Sequence, residues 1–394
     1  MILGVVAFVV ALLVSLAIHE AGHLVTAKKF GMKASQYFIG FGPTIWSRQR
    51  GETEYGFKAL PLGGYVKIVG MTPLEEVDPA DEPRAFYRQP GPQRAVVLAA
   101  GSVTHFVLAF VLLLVVAMGL GLPGEGQATA TVGAVSKCVP SSPNAECTGT
   151  DRRSPAAQAG LRPGDRIVAL DGREVAGWAE LSRAIENHPA GPTEITVVRN
   201  GERVSLRANL TSSPAGSGSF LGIEPRIVYQ EPQRLGPVDA AVFAGDMMGR
   251  MFVMVGQVLA ELPAAIPHLF SEERGENGGG VGSIVGAAYV SGQAVAADAP
   301  ARERAITFLS IVISLNLFVG VLNLLPLLPM DGGHLAVLLY ERSRAGIARL
   351  RGRADPGPVD MRKLLPATYA VVVLLIGLGV LLILADIVNP LTLQ

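Results

Sequence analysis

Two histidines and a glutamate near the start of the chain form the pattern best suited to chemistry. His19, Glu20 and His23 lie in the segment HEAGH, with the two histidines four residues apart. On a helix this spacing places both imidazoles on one face, where they could share a tetrahedral Zn²⁺. Glu20 could then serve as the general base for hydrolysis by a water on the metal. The alternative is a polar cluster that only forms hydrogen bonds between helices.

The third metal ligand is expected from a distant segment. Catalytic zinc usually has three protein ligands and one open position. Asp331 is the best candidate, because it lies in NLLPLLPMDGG (323–333), where prolines and glycines interrupt helical backbone. Irregular backbone at membrane depth is tolerated where it is buried in protein or lines a wet cavity. The alternative role for Asp331 is the N-cap of the following helix.

The elements that carry these residues are long apolar segments. Only 17% of the 394 residues are charged, whereas soluble domains average about 25%. About 20 apolar residues are needed to cross a bilayer as a helix. Four segments qualify, and they are Met1–Ala27, Ala95–Leu122, Ile306–Leu328 and Leu364–Ile387. The first could instead be a signal peptide, but it lacks a positively charged start and carries ionisable residues within its apolar run.

The basic residues predict the orientation of these spans. They cluster after span one, before span two and after span three, as Lys28, Lys29, Lys33, Arg84, Arg88, Arg94, Arg342, Arg344, Arg349, Arg351 and Arg353. Basic loops favour the cytoplasmic side, so both termini and the segment from Pro123 to Ala305 are expected outside the plasma membrane. Residues 239–267 are predicted to form an amphipathic helix along the outer interface. A fifth span there is the alternative, and it would reverse everything downstream.

Two segments between the spans have strand signals. The segment TEYGFKALPLGGYVKIVG (53–70) alternates strand-forming residues around Gly63–Gly64 and is predicted to form a hairpin with its turn there. An ordinary cytoplasmic sheet is the alternative. In the outer segment, VVRNGERV (197–204) is a strand, Asn-Gly turn, strand signal. Cys138 and Cys147 are too few for a cysteine metal site, and on an oxidising side they could form a disulfide or stay free.

The motifs together resemble the site-2 protease family of intramembrane zinc metalloproteases. The resemblance is carried by HEAGH, YFIGFGPTIW (37–46), QRAVVLAAG (93–101) and NLLPLLPMDGGH (323–334). It also includes SPAAQAGLRPGDRIVALDG (154–172), which is similar to a PDZ helix–turn–strand signature. The single PDZ-like module and PATYAVVV (366–373) are most similar to actinobacterial single-PDZ members, related to the regulator-of-sigma-E protease.

The resemblance implies a fold and a domain plan. We expect a polytopic α-helical membrane protein with four spans, a membrane-associated β-hairpin and one extracytoplasmic PDZ-like α+β domain. The expected divisions are a membrane core with spans one and two (1–122), a PDZ-like domain (123–212), a linker with the interfacial helix (213–303) and a membrane core with spans three and four (304–394).

The resemblance also implies an activity. Zn²⁺ would be held by His19, His23 and Asp331, with Glu20 as catalytic acid and base. The substrates would be membrane-embedded stubs of single-span regulators such as anti-sigma factors, cut first outside the membrane by another protease. The hairpin would pair with the unwound substrate by β-augmentation. The PDZ-like domain would gate substrates and could bind a peptide tail, or it could act only as a steric filter.

Several roles are left open. The amide of Asn323 could stabilise an oxyanion or form a hydrogen bond between helices. Span two begins GSVTHF (101–106), where relatives often have Gly-Pro and then Asn, so His105 could support a metal ligand or compete as one. An intramembrane metal-ion transporter is the alternative function, although no internal repeat supports it. The zero net charge and the lack of Lys/Arg clusters that alternate with aromatic residues argue against a nucleic-acid partner.

Overall fold

The computed structural model describes most of the chain. The described residues are 1–71, 75–122, 124, 126–140, 147, 151–213, 218–229, 231–271, 274 and 282–391. They form two compact units, one of residues 1–121 and 234–394 and the other of residues 122–233. We call them the helical unit and the sheet unit. The predicted linker 213–303 includes residues 214–217, 230, 272–273 and 275–281, which lie outside the described part.

Among the described residues, helices and strands are mixed as far as Tyr229, and helices follow from there. In order they are α1 (Ile2–Lys29), β1 (Ala34–Arg50), β2 (Thr53–Ile68), α2 (Gly91–Leu114, continued by a π-helical segment Val115–Leu120), β3 (Gly126–Val135), α3 (Pro155–Ala159), β4 (Arg166–Leu170), β5 (Arg173–Glu174), α4 (Trp178–Asn187), β6 (Gly191–Arg199), β7 (Glu202–Ser212), β8 (Ser219–Phe220), β9 (Ile223–Tyr229), α5 (Pro237–Ala265), α6 (Ile284–Ala296), α7 (Ala301–Asn323), α8 (Asp331–Leu350) and α9 (Leu365–Val388).

Four helices in the described residues are long and apolar enough to cross a membrane. They are Ile2–Lys29, Gly91–Leu120, Ala301–Asn323 and Met361–Val388. The prediction of four spans is confirmed by length and composition. The third begins and ends five residues earlier than predicted, and its helix ends at Asn323. Pro326 and Pro329 lie in the irregular segment that follows, where proline cannot continue the helical hydrogen bonds.

The helical unit is held together around the cytoplasmic ends predicted for its first two spans. Helix α1 packs against α2 and α6, and α2 packs against α7 and α8. A buried cluster joins α1, the β1–β2 pair, α2 and α8, and includes Leu24, Met32, Ile68, Val97 and Leu338. Burial of such side chains is worth roughly 1.5–3 kcal/mol each. This cluster therefore fixes the helix that carries the HEAGH motif against its neighbours.

The strands of the helical unit differ from the predicted hairpin. Two segments of β2 pair with β1: 64–68 pairs with 34–39, whereas 53–58 pairs with 44–50 and, through residues 54–57, also with 36–39. The prediction of a turn at Gly63–Gly64 between two paired halves of 53–70 is wrong, because both halves pair with β1 instead. Gly63, with φ of +140°, separates the two paired segments.

Helix α5 covers the region predicted to be an amphipathic interfacial helix. It packs against α2 and α7 within the helical unit. The Phe252 ring meets the Phe106 ring edge-on, with centroids 5.1 Å apart. The placement of α5 along the outer membrane interface stays a prediction.

The sheet unit is an antiparallel sheet with short helices. The strand order is β8-β7-β6-β4-β3-β9, with β5 paired to β4. Strands β6 and β7 pair from Arg199 and Glu202 onward, so the Asn200–Gly201 hairpin is confirmed. Strands β8 and β9 lie beyond the predicted boundary at 212 and belong to the same sheet. Cys138 and Cys147 form a disulfide.

Candidate metal centre

The three predicted ligands meet in the helical unit, although two come from α1 and the third from α8. The Nε2 atoms of His19 and His23 are 3.3 Å apart. Asp331 Oδ2 lies 3.5 Å from His19 Nε2 and 3.2 Å from His23 Nε2. In the described residues these three side chains form the one group of histidine, cysteine or acidic residues close enough to share a metal ion.

These separations fit zinc. Ligand atoms about 2.0–2.1 Å from a tetrahedral ion lie about 3.3 Å from one another, which is close to the three distances observed. Asp331 Oδ2 is buried and has no hydrogen-bond partner in the described residues, although buried polar atoms are normally satisfied. A cation between the three side chains would satisfy it. Two imidazoles and one carboxylate are also a donor set known from catalytic zinc sites.

The tautomer of His23 is fixed by its surroundings. Its Nδ1 lies 2.7 Å from the carbonyl oxygen of Val97 in α2. Because a carbonyl can only accept, Nδ1 carries the proton and donates. The Nε2 lone pair is therefore free to face His19 and Asp331, as a metal ligand requires.

Helix α2 approaches the ligands closely because Gly101 has no side chain. A Cβ at this position would lie 2.4 Å from both His23 Nε2 and His19 Cε1. Real Cβ atoms essentially never come this close, so the space beside the imidazoles depends on glycine. Gly101 was not among the predicted site residues, although the motif QRAVVLAAG ends there.

Asp331 is placed by the irregular segment between α7 and α8. It is the first residue of α8, and its side chain makes no N-cap hydrogen bond; Met330 occupies the cap position. A Cβ at Gly332 would lie 2.2 Å from the backbone of Leu324, so only glycine lets this segment fold back onto the first turn of α8. The irregular segment predicted from its prolines and glycines thus places the Asp331 carboxylate next to α1.

Glu20 lies between the two histidines and faces the β1–β2 pair. A Cβ at Gly64 would come 2.9 Å from Glu20 Cγ, so β2 passes directly beside this side chain. Tyr37 in β1 donates a hydrogen bond to the carbonyl of Ala17 in α1, at 2.8 Å. The strands are therefore tied to the helix that carries Glu20.

His105 and a residue missed in the sequence form a pair beside the ligands. The His105 ring is 5.0 Å from the His19 ring, centroid to centroid. His105 Nδ1 lies 2.8 Å from Asn316 Oδ1 in α7, and both residues are buried. An amide within an apolar span was the signal that could have identified Asn316. Asn323 is the last residue of α7, and its amide makes no hydrogen bond with the described residues, so its oxyanion role stays a prediction.

A cavity of about 620 Å³ has a mixed polar and apolar lining, which includes His334, three residues after Asp331. The lining also includes Arg94 and Glu341. Arg94 and Glu341 approach within 3.8 Å across the cavity. A cavity with this lining can hold water near the three ligands.

Comparison with known proteins gives the same chemistry. Residues 7–354 match the model of peptidase family M50. The chain is 39% identical to the zinc metalloprotease Rip1 of Mycobacterium tuberculosis (strain H37Rv), over 99% of this chain and 98% of the relative. It is 38% identical to Rip1 of Mycolicibacterium smegmatis, over 99% and 98%. It is 26% identical to the regulator of sigma-E protease RseP of Escherichia coli (strain K12), over 86% and 90%.

Each of these relatives is named as a protease, and none as the metal-ion transporter that was the alternative. The four apolar helices agree with a multi-pass membrane protein. The chain therefore belongs to peptidase family M50, the site-2 protease family, and is an intramembrane zinc metalloprotease.

Proposed function

We propose that the chain cleaves peptide bonds in the transmembrane segments of single-span regulators, such as anti-sigma factors, after a first cut outside the membrane. His19, His23 and Asp331 hold the zinc, and Glu20 moves the proton. The convergence of two imidazoles from α1 with a carboxylate from α8, at separations suited to a tetrahedral ion, is the observation that carries this proposal.

The reaction divides between the metal and the side chains. When bound, zinc supplies Lewis-acid polarisation of the scissile carbonyl and acidifies water. Glu20 takes the proton from the attacking water and returns it to the leaving amine. His23 keeps its orientation through Val97, and Asp331 keeps its position through the fold of the segment before α8. The cavity lined by His334 is the proposed source of water for these groups.

The β1–β2 pair is proposed to hold the substrate. A transmembrane helix conceals its carbonyls in backbone hydrogen bonds and must unwind before attack. Segment 64–68 of β2 pairs with β1, and among the described residues no other strand pairs with it. Because Gly64 lies against Glu20, an extended substrate added along this segment would present its backbone to the catalytic carboxylate.

The proposed topology follows from the basic loops. Both termini and the sheet unit lie outside the plasma membrane, and the metal centre lies toward the cytoplasmic face. The disulfide in the sheet unit agrees with an oxidising compartment. The SPAAQAGLRPGDRIVALDG segment forms α3 and β4 of an antiparallel sheet, which supports a PDZ-like domain that screens trimmed from intact substrates and could bind a peptide tail.

The Glu20→Gln variant tests the proposal. A reporter transmembrane segment, supplied already trimmed, should be cleaved about 10²- to 10⁴-fold more slowly because the general base is gone. Zinc content should stay at the wild-type level, since no ligand is removed. Glu303→Gln, an acidic residue in the first turn of α7, is the matched control and should cleave normally. Unchanged cleavage by Glu20→Gln would refute the mechanism.

The same variant can identify the substrates. Because it retains zinc and the strand pair, it should hold uncleaved stubs, which mass spectrometry of the purified complex would identify.

A further inference from the structure

Two buried ring nitrogens near the metal centre have no hydrogen-bond partner. They are His19 Nδ1 and His105 Nε2. Both residues are almost inaccessible to solvent, with relative exposures of 7% for His19 and 2% for His105. Leaving a buried donor or acceptor unpaired costs roughly 1–3 kcal/mol. Two such atoms on adjacent rings therefore need an explanation.

The protonation of His105 is fixed by a chain of acceptors. The Asn316 amide lies 2.8 Å from the carbonyl of Val312, and only its nitrogen, Nδ2, can donate there. Asn316 Oδ1 is consequently the atom that faces His105 Nδ1. An amide oxygen only accepts, so His105 Nδ1 carries the ring proton. His105 Nε2 is left as a buried lone pair, which can only accept a hydrogen bond.

His19 has the opposite requirement. Its Nε2 faces His23 and Asp331, and as a metal ligand this nitrogen is unprotonated. The proton of the neutral ring is then on Nδ1, which needs an acceptor. Metal-bound histidines almost always donate this second N–H to a carboxylate, a carbonyl or another acceptor.

His19 Nδ1 needs an acceptor and His105 Nε2 needs a donor, and the distance between the two rings suits a hydrogen bond between them. Their centroids are 5.0 Å apart with planes tilted by 42°. An N–H···N hydrogen bond of about 3 Å between two imidazoles places the centroids ~5 Å apart. Neither nitrogen makes this bond in the described structure, so the bond requires a reorientation of one or both rings.

We propose that His105 accepts the Nδ1–H hydrogen bond of His19, and that Asn316 holds His105 in the tautomer that makes this possible. His105 is thus a positioning residue for a zinc ligand, not a fourth ligand. This chain of hydrogen bonds, from Asn316 in α7 through His105 in α2 to His19 in α1, is called the relay. It links the packing of three spans to the metal centre. The inference rests on the proposed role of His19.

One other acceptor lies within the same region. The backbone of Gly101, one turn before His105 on the same helix, lies close enough to interact with the His19 ring, and its carbonyl also accepts a hydrogen bond from Thr104 Oγ1 at 2.6 Å. A carbonyl has two lone pairs and could accept a second donor. The experiment must therefore distinguish the two acceptors.

Two substitutions of His105 separate the ring nitrogens. In His105→Gln the side-chain oxygen reaches the place of Nε2 and can still accept from His19. In His105→Asn the shorter amide can replace Nδ1 and keep the contact with Asn316, but it leaves His19 without this acceptor. Zinc affinity is measured on full-length protein in detergent by competition with a chromophoric chelator. Cleavage of the reporter segment is measured in parallel.

We expect His105→Asn to lower zinc affinity about 10- to 100-fold, the usual cost of removing a partner of a metal-bound histidine. His105→Gln should stay within about threefold of the wild type, since the acceptor is retained. If both variants bind zinc as the wild type does, the Gly101 carbonyl is the acceptor and the inference is wrong. If both lose affinity equally, His105 serves only packing, and the inference is also wrong.

A third variant separates this inference from the proposed function. His19→Ala should lose far more zinc affinity than His105→Asn, because it removes a ligand. If His19→Ala binds zinc as tightly as the wild type, the proposed metal site is wrong. If His19→Ala loses zinc while His105→Asn does not, the site stands and only the relay fails.

Discussion

The two units each contain an inward-facing aspartate, and the two carboxylates differ in how they are satisfied. In the sheet unit, Asp165 accepts hydrogen bonds from Arg199 Nε and Nη2, each at 2.7 Å, and from the amide of Arg162 at 2.8 Å. In the helical unit, Asp331 Oδ2 is buried beside two imidazoles and has no donor in the described residues. The carboxylate of Asp165 is hydrogen-bonded within the fold, whereas Asp331 Oδ2 has the unpaired environment expected of a metal ligand.

This difference does not come from the helical unit as a whole. Asp386 in α9 is also buried, and it pairs with Arg274 and accepts hydrogen bonds from the amides of Ser283 and Gly286. Buried carboxylates are therefore satisfied elsewhere in the same unit. An unsatisfied group in a well-packed protein points to function, because local rules are usually broken where a ligand is to be bound.

The largest expected effect follows from removing the Asp331 carboxylate. Asp331→Ala should lower cleavage of the reporter segment by about 10³-fold, since the Lewis acid is lost with its ligand. Zinc content should fall well below one ion per chain. Stability without zinc should hardly change, because no folded-state donor loses its partner. Metal analysis and thermal unfolding after chelation measure both. A variant that keeps its zinc would remove Asp331 from the site.

The convergence of His19, His23 and Asp331 could be anticipated because its signals are local. A four-residue spacing on a helix defines one face, and prolines with glycines mark the break that carries the aspartate. Asn316 and Gly101 were missed because their importance depends on which helices pack together. A single amide or a glycine in an apolar segment does not specify its neighbour.

In the fold, too, features with local sequence signals could be predicted, whereas long-range pairings could not. The four spans follow from composition, since a bilayer imposes the same length and apolarity on every crossing helix. The pairing of β2 with β1 was not evident, because the choice of strand partner is a long-range property and a Gly-Gly pair is an equally plausible local turn. Strand β9 was missed for the same reason, because it pairs with β3, which lies far away in sequence. Strand β8 has only two residues, Ser219–Phe220, which are too few to show an alternating pattern.

A second prediction tests the close approach that the metal centre requires. Gly101→Ala places a methyl group where only 2.4 Å separates it from His23 Nε2 and His19 Cε1. The imidazoles or α2 must shift, so zinc affinity and cleavage should each fall by about 10-fold or more. Gly119→Ala in the continuation of the same helix is the control, because no atom lies within 4 Å of its added Cβ. Equal behaviour of the two variants would show that the site tolerates the methyl group.

A third prediction concerns Asp165, the hydrogen-bonded carboxylate of the sheet unit. Asp165→Ala leaves the Arg199 guanidinium without its carboxylate partner, so amide protection in β4 and β6 should fall about 10- to 100-fold. Zinc content should not change. Glu174→Ala breaks an exposed pair with Arg203 and should alter protection by less than about threefold. Hydrogen exchange on the full-length protein measures all three. Loss of zinc in Asp165→Ala would show that the two carboxylates are not independent.

The smallest expected effect is the pH dependence of the same ion pair. The hydrogen bonds from Arg199 hold the pKa of Asp165 below its usual value, against the opposing effect of burial. The unfolded chain, with an aspartate pKa near about 3.9, binds the proton first as pH falls. The contribution of Asp165 to stability is therefore full above about pH 5, and it is lost progressively as pH falls through the unfolded and then the folded pKa. The difference in β4 protection between wild type and Asp165→Asn should shrink between pH 6 and pH ~3. A difference that stays constant over this range would mean that Asp165 gains its stability from packing, not from its charge.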